Sequence, residues 1–114
     1  MGYNIKQLNA TDRPREKLLE IGERQLANSE LLAIILGSGN RQQNAVELAQ
    51  EILHSANNNL AELAKLTLAD LQRFKGIGEA KAINIIAALE LGKRRKSTST
   101  PQRKQINSSQ DGYD

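Results

Sequence analysis

The chain contains no cysteine and no tryptophan, and it is poor in other aromatic residues and in valine. Its 114 residues include a single valine, Val46, and only Tyr3, Phe74 and Tyr113 as aromatic residues. Without cysteine there can be neither a disulfide nor a thiolate metal site. Because valine and aromatic residues favour strands, their scarcity argues against a sheet. The core must be built from Leu, Ile and Ala, which predicts one small domain of packed helices.

Long apolar runs and catalytic constellations are also missing. No run approaches the ~20 apolar residues that span a bilayer, and residues 1–6 contain no signal-peptide core. We therefore expect a cytoplasmic protein that makes no membrane contact. The single histidine, His54, cannot form a metal site or a catalytic dyad alone, and no phosphate-binding loop or Ser/His/Asp set is visible. We expect this chain to be no enzyme and to hold no metal or cofactor.

The net charge of +3 is unevenly distributed along the chain. Residues 93–114 contain six basic and two acidic residues, a net charge of +4. Residues 1–92 contain ten basic and eleven acidic residues, a net charge of −1. Overall charge therefore gives no argument for nucleic-acid binding by the helical part. Such an argument must come from local structure or from the basic segment after residue 92.

A Gly-x-Gly pair between two helical patterns is the most informative local feature. Leu71 and Phe74 precede Gly76-Ile77-Gly78, and apolar residues at helical spacing follow it at Ala82, Ile85, Ile86 and Leu89. This pattern predicts a short helix, a tight hairpin and a longer helix. The amides that open the second helix would face outward and suit a phosphate. The alternative interpretation is a purely structural turn between packed helices.

The same pattern occurs earlier in the chain as an internal repeat. Its members are Leu32, Ile35, Gly37, Gly39, Ala45, Leu48, Ala49 and Ile52, with two extra residues after the second glycine. Two such hairpins joined by a connecting helix predict an all-α domain of five to six helices, with a disordered C-terminal tail. The alternative is that two leucine-rich helical hairpins match by chance. We also expect Asn28 or Ser29 to cap the second helix and Thr67, with Asp70, to cap the fifth.

Four motifs together resemble the N-terminal domain of bacterial RadC-like proteins. They are Asp12–Leu19, Asn28–Gly39, Phe74–Ala82 and Ala88–Arg94. The resemblance implies a tandem helix-hairpin-helix fold and, through the family's name, a link to DNA repair. Family members continue into a zinc-binding JAB/MPN domain. We therefore expect a helical domain over residues 1–96, a linker over 97–104 and the truncated start of that second domain over 105–114, with zinc only in the part that is absent.

Two functional hypotheses follow. The first is weak, sequence-independent, salt-dependent DNA binding by a monomer through the hairpin amides and nearby cations. Its predicted contact residues are Lys75, Gly76, Ile77, Gly78, Glu79 and Lys81 in the second hairpin and Gly37, Ser38, Gly39 and Arg41 in the first. The second hypothesis is a protein-interaction or regulatory module, whose grooves or Arg13–Lys17 face would bind the absent C-terminal domain or another protein.

Overall fold

The computed structural model describes residues 13–98, and every regular element within this range is helical. Residues 13–21 form helix α1. A 3₁₀ turn at Glu23–Gln25 and five further helices follow: α2 (Asn28–Leu36), α3 (Ala45–Ser55), α4 (Leu60–Leu63), α5 (Leu68–Gln72) and α6 (Glu79–Thr98). The prediction of an all-α domain is confirmed. The predictions for residues 99–114, a disordered tail and the start of a second domain, lie outside the described residues.

Helix α3 forms the centre of the core. Its residues Ala45, Leu48, Ala49 and Ile52 are fully buried. They recur at the helical period, so they line one face of the helix. The two alanines on that face allow α2 to pack closely against α3. Leu63 from α4, Leu71 from α5, and Ala82 and Ile85 from α6 complete the fully buried set. The core is therefore made of Leu, Ile and Ala, as composition predicts, and the described part of the chain buries no polar side chain.

The start of α2 differs from the prediction that Asn28 or Ser29 caps it. The capping position is Ala27, whose extended backbone precedes the helix. The missing side-chain cap is replaced by Glu30, whose Oε1 accepts a hydrogen bond from the Ala27 amide at 2.7 Å. Glu30 also accepts from Lys17 Nζ at 3.0 Å, which ties α1 to α2. The hydrogen bond from Ala27, followed by that from Lys17, lowers the pKa of Glu30.

Capping at the other helices follows the sequence more closely. At α5, Thr67 Oγ1 accepts from the Asp70 amide at 3.1 Å and Asp70 Oδ2 accepts from the Thr67 amide at 3.0 Å, which confirms the predicted capping box. The hydrogen bond from the Thr67 amide, together with that from its hydroxyl, lowers the pKa of Asp70. Asn44 and Asn59 cap α3 and α4 in the same manner, by accepting from the amides of Glu47 and Glu62.

The packing of α6 departs from the predicted apolar face in one place. Ala82 and Ile85 are buried, but Ile86 is 36% exposed although its repeat counterpart Ala49 is fully buried. Ile86 therefore belongs to the apolar pattern of α6 but lies outside the core cluster. The reason is the shortness of α4, which has four residues and covers little of the neighbouring side of α6. An apolar groove remains between these two helices.

Replacing Glu30 by alanine tests whether this side chain stabilises the start of α2. We expect Glu30→Ala to lower the free energy of unfolding at neutral pH by about 1 kcal/mol, the usual size for a helix N-terminal cap. Because the folded-state pKa of Glu30 lies below its ordinary value of 4.5, this stabilisation is present above that pH and is lost as the pH falls through the folded-state pKa. Urea unfolding as a function of pH measures both effects.

The matched control is Glu16→Ala on α1, where the carboxylate is exposed and has no recorded partner within residues 13–98. We expect its effect to stay within about 0.5 kcal/mol, as for most surface substitutions. Two results would contradict the conclusion that the ionised Glu30 side chain stabilises the start of α2. One is an equal loss of stability in both variants, and the other is a loss of stability in Glu30→Ala that persists in strong acid.

Candidate nucleic-acid interface

The second hairpin is a tight turn between α5 and α6. Gly76 adopts a φ of 93°, a conformation that residues with a Cβ rarely adopt. Ile77 points into the core and is only 4% exposed, which fixes the tip of the hairpin. The Ile77 amide donates to the carbonyl of Phe74 at 3.0 Å. That amide is therefore engaged within the hairpin, and the open amides lie further along the chain.

The first hairpin follows α2 and is packed against its own loop. The Gly37 amide donates to the carbonyl of Ala33 at 2.9 Å and closes the helix. A Cβ on Gly39 would overlap the Gln43 carbonyl oxygen and would lie 2.7 Å from the oxygen of Asn44. Gly39 is therefore required for a close approach of two backbone segments. Ser38, between the two glycines, is exposed, unlike Ile77 in the second hairpin.

Two side chains hold the hairpins together. Asn40 Nδ2 donates to the carbonyl of Lys75 at 2.7 Å. Asn40 Oδ1 accepts from the amides of Gln42 and Gln43 at 2.8 Å each, so the side chain is fixed on both sides. Lys81 Nζ donates to the carbonyl and the hydroxyl of Ser38 at 3.0 and 2.9 Å. The two hairpins predicted from sequence therefore lie side by side at one end of the domain.

The start of α6 presents unpaired backbone donors. Within residues 13–98, no acceptor is recorded for the amides of Gly78, Glu79 and Ala80. They begin a helix of 20 residues, so the positive end of its dipole lies behind them. A Cβ placed on Gly78 would meet no atom within 4 Å, which shows that the space in front of this turn is open. The predicted residues Gly78 and Glu79 thus offer free amides, and Ala80 adds a third that sequence reasoning missed.

The predicted cations are not equally available. Arg41 and Lys75 are exposed, and within the described range neither side chain has a recorded partner. Lys81 is half-buried and is already bonded to Ser38. Arg15 of α1, predicted only as part of a charged face, places Nη2 4.0 Å from the position of a Cβ on Gly37. The hairpin end therefore carries the basic side chains of Arg15, Arg41, Lys75 and Lys81, together with the carboxylate of Glu79 in the first turn of α6.

The two hairpins are not equivalent, although their sequences share a pattern. The second leads directly into α6, whereas five residues separate Gly39 from α3. The first amides of α3 face a capping box, in which Asn44 Oδ1 accepts from the Glu47 amide at 2.8 Å and Glu47 Oε1 accepts from the Asn44 amide at 3.0 Å. Only the second hairpin therefore presents an open helix N-terminus.

Metal and membrane sites receive no support from this part of the chain. No group of three or more His, Cys, Asp or Glu side chains within residues 13–98 is arranged to hold a metal ion. None of the helices there is both long enough and apolar enough to cross a membrane.

Comparison with known protein families identifies the family of this chain. The UPF0758 N-terminal family matches residues 5–83. The chain belongs to the UPF0758 family. This result supports the RadC-like N-terminal region expected from the four sequence motifs. The match leaves both the helix-hairpin-helix fold and the JAB/MPN domain untested.

The relatives are longer and carry a family name without an activity. A UPF0758 protein of Porphyromonas gingivalis is 48% identical over 110 residues, which cover 96% of this chain and 48% of the relative. One from Flavobacterium johnsoniae is 48% identical over 111 residues, which cover 97% of this chain and 48% of the relative. One from Alkaliphilus oremlandii is 49% identical over 94 residues, which cover 82% of this chain and 40% of the relative. The chain spans about half the length of these relatives, and no solved structure matches it.

A pair of glycine substitutions tests the geometry of the hairpins. We expect Gly39→Ala to lower the free energy of unfolding by about 2 kcal/mol or more, because the added Cβ meets backbone atoms that cannot move aside. Gly78→Ala adds the same methyl group in open space, and we expect a loss below about 1 kcal/mol. Urea unfolding of both variants measures the difference. Equal losses would show that the close approach at Gly39 is not a constraint.

Proposed function

We propose that the hairpin end of this domain binds DNA through its phosphates, without reading the base sequence. The observation that carries the proposal is the fixed pairing of the two hairpins by Asn40 and Lys81. This pairing brings the loop that contains Arg41 against the turn that contains Lys75, and that turn leads directly into the open amides at the start of α6. A rigid surface that combines free backbone donors with positive charge suits an anionic backbone.

The strongest predicted phosphate contact is at the start of α6. The amides of Gly78, Glu79 and Ala80 have no acceptor among residues 13–98, and the helix dipole adds a positive partial charge there. The absence of a side chain at Gly78 allows a phosphate oxygen to approach the backbone closely. The amides of Gly76 and Glu79 remain predicted phosphate contacts. The Ile77 amide does not, because it already donates to the carbonyl of Phe74, and Ile77 instead anchors the turn to the core.

The first hairpin would supply a second and weaker contact. The Ser38 and Gly39 amides have no recorded acceptor within residues 13–98, and Arg41 lies just beyond them in the chain. Lys81 holds Ser38 in place and contributes its charge from that position. Since these contacts would be made to phosphates, we expect strong salt dependence and no preference for sequence.

In this proposal the domain is a non-catalytic module that needs no cofactor. Its role would be to bring DNA to the remainder of a longer protein such as its relatives. A role in DNA repair, the process in the name of the RadC-like family, would follow from that activity. Protein docking is a second candidate function. It is favoured by a separate surface, the apolar groove between α4 and α6, which the DNA proposal leaves unused.

Removing the two free cations tests the electrostatic part of the proposal. We expect Arg41→Ala combined with Lys75→Ala to weaken binding to a short DNA duplex and to reduce the slope of log affinity against log salt by about two, one for each lost phosphate contact. Fluorescence anisotropy at several salt concentrations measures both quantities. The control Arg24→Ala removes a cation from the 3₁₀ turn near the opposite end of α2, and we expect it to leave the slope unchanged.

A methyl group at the proposed phosphate position tests the backbone part. We expect Gly78→Ala to leave the fold intact and to weaken duplex binding about tenfold, because its Cβ enters the space that a phosphate oxygen would occupy. Gly92→Ala is the matched control on the same helix, since a Cβ there also meets no atom within 4 Å. Amide-resolved NMR with the wild-type protein should show salt-sensitive shifts at Gly78–Lys81 and Ser38–Arg41.

An unchanged affinity of Gly78→Ala for the DNA duplex would show that the second hairpin does not bind a phosphate. Shifts confined to Lys93–Lys96 would assign any DNA binding to the basic end of α6 instead. The absence of shifts at low salt would leave the hairpins as structural turns.

A further inference from the structure

A second surface lies away from the hairpins, between α4 and the C-terminal half of α6. It is a groove of about 680 Å³ whose floor and walls include Leu60, Ala64, Leu66, Ile86, Leu89 and Gly92. Leu60 is 46% exposed and Ile86 is 36% exposed, so their apolar side chains line the groove in contact with solvent. A groove of this kind on a small domain is typical of an interaction site.

The shape of the groove suits a helix. A facing backbone can approach closely, because the lining includes four residues with little or no side chain: Ala61, Ala64, Ala88 and Gly92. Leu60 lies on α4 and Ile86 on α6, the two helices that border the groove. Apolar side chains on one face of an amphipathic helix would fit between them, at positions i, i+3 or i+4, and i+7.

The charge around the groove indicates which charge a partner should carry beside its apolar stripe. Lys65, Lys93 and Lys96 are among its lining residues. Glu90 accepts from Arg94 Nε at 2.9 Å, and Glu62 forms a 3.2 Å ion pair with Lys65. By formal charge, the four basic residues along this edge outnumber the two acidic ones; the basic residues are Lys65, Lys93, Arg94 and Lys96. A partner with acidic residues beside its apolar stripe would complement this edge, and a basic partner would be repelled.

We propose that this groove binds an amphipathic α-helix of a second protein, with acidic residues flanking its apolar stripe. The proposal is independent of DNA binding. Ile86 lies seven residues beyond the start of α6 at Glu79, which is about 10 Å along the helix axis. The groove continues from there away from the hairpins, towards Lys96. One long helix would therefore carry a DNA surface at its beginning and a protein surface along its end.

Synthetic helical peptides test the partner's chemistry on the full 114-residue chain. The probe peptide has leucine at positions i, i+3, i+4 and i+7 of a repeating pattern, with glutamate on either side of the leucines. The control peptide keeps the leucines and replaces each glutamate by lysine. We expect the glutamate peptide to bind about tenfold or more tightly than the lysine peptide, measured by fluorescence anisotropy. NMR shifts should centre on Ala61, Ala64, Ile86, Leu89 and Lys93.

Substitutions in the groove locate the binding and separate it from folding. Ile86→Glu and Leu60→Glu each place a charge on an exposed apolar site, and we expect both to reduce affinity for the glutamate peptide at least about tenfold. Leu19→Glu is the control, because Leu19 is 83% exposed on α1 and does not line the groove. Circular dichroism verifies that all three remain helical. Lys65→Glu with Lys93→Glu should invert the preference between the two peptides.

Four results would overturn the proposal. The first is equal binding of the two peptides, or none. The second is a change in the groove amides when residues 99–114 are deleted, which would make that segment of the chain the occupant. The third is concentration-dependent dimerisation that Ile86→Glu abolishes, which would make a second copy the occupant. The fourth is binding of phosphatidylserine vesicles through the groove amides without peptide binding.

Discussion

The fold depends on the close approach of two backbone turns. Gly39 leaves no space for a Cβ within its own loop, against Gln43 and Asn44, and the neighbouring Asn40 donates its side-chain amide to the carbonyl of Lys75 in the second turn. Gly76 completes the contact, since a Cβ there would lie 2.9 Å from that of Asn40. With the two turns fixed, Ile77 and Ala82 are directed into the core built on α3. The polar contact at the surface and the apolar core beneath it therefore specify one arrangement of the two hairpins.

Helix α6 converts that arrangement into two surfaces of different character. Its first residues belong to the hairpin end, where free amides and cations lie together. Its later residues extend past the core, and Ile86 and Leu89 face a groove that the short helix α4 only partly covers. The two functional hypotheses drawn from sequence, DNA binding and protein docking, thus concern opposite parts of one helix. Because they use different residues, evidence for one does not weigh against the other.

Sequence reasoning succeeded where a property is local. Apolar spacing located α3, α5 and α6, and the Thr67 capping box was readable from residue type and position alone. It failed where the outcome depends on packing between distant segments. The exposure of Ile86 follows from the length of α4, and the start of α2 at Ala27 depends on Glu30 and its contact with Lys17. The role of Asn40 needed the second hairpin in place, since its acceptor lies 35 residues away.

The asymmetry of the repeat decides how the hairpin end could engage a phosphate backbone. In the first hairpin, the Asn44–Glu47 capping box occupies the start of α3 and places a carboxylate where an anion would otherwise bind. In the second, no capping box occupies the start of α6 within residues 13–98, and a Cβ on Gly78 would meet open space. An anion would therefore be held mainly by α6, while the first hairpin would add charge and orientation. A two-fold symmetric grip, which the sequence repeat alone suggests, is not what these side chains favour.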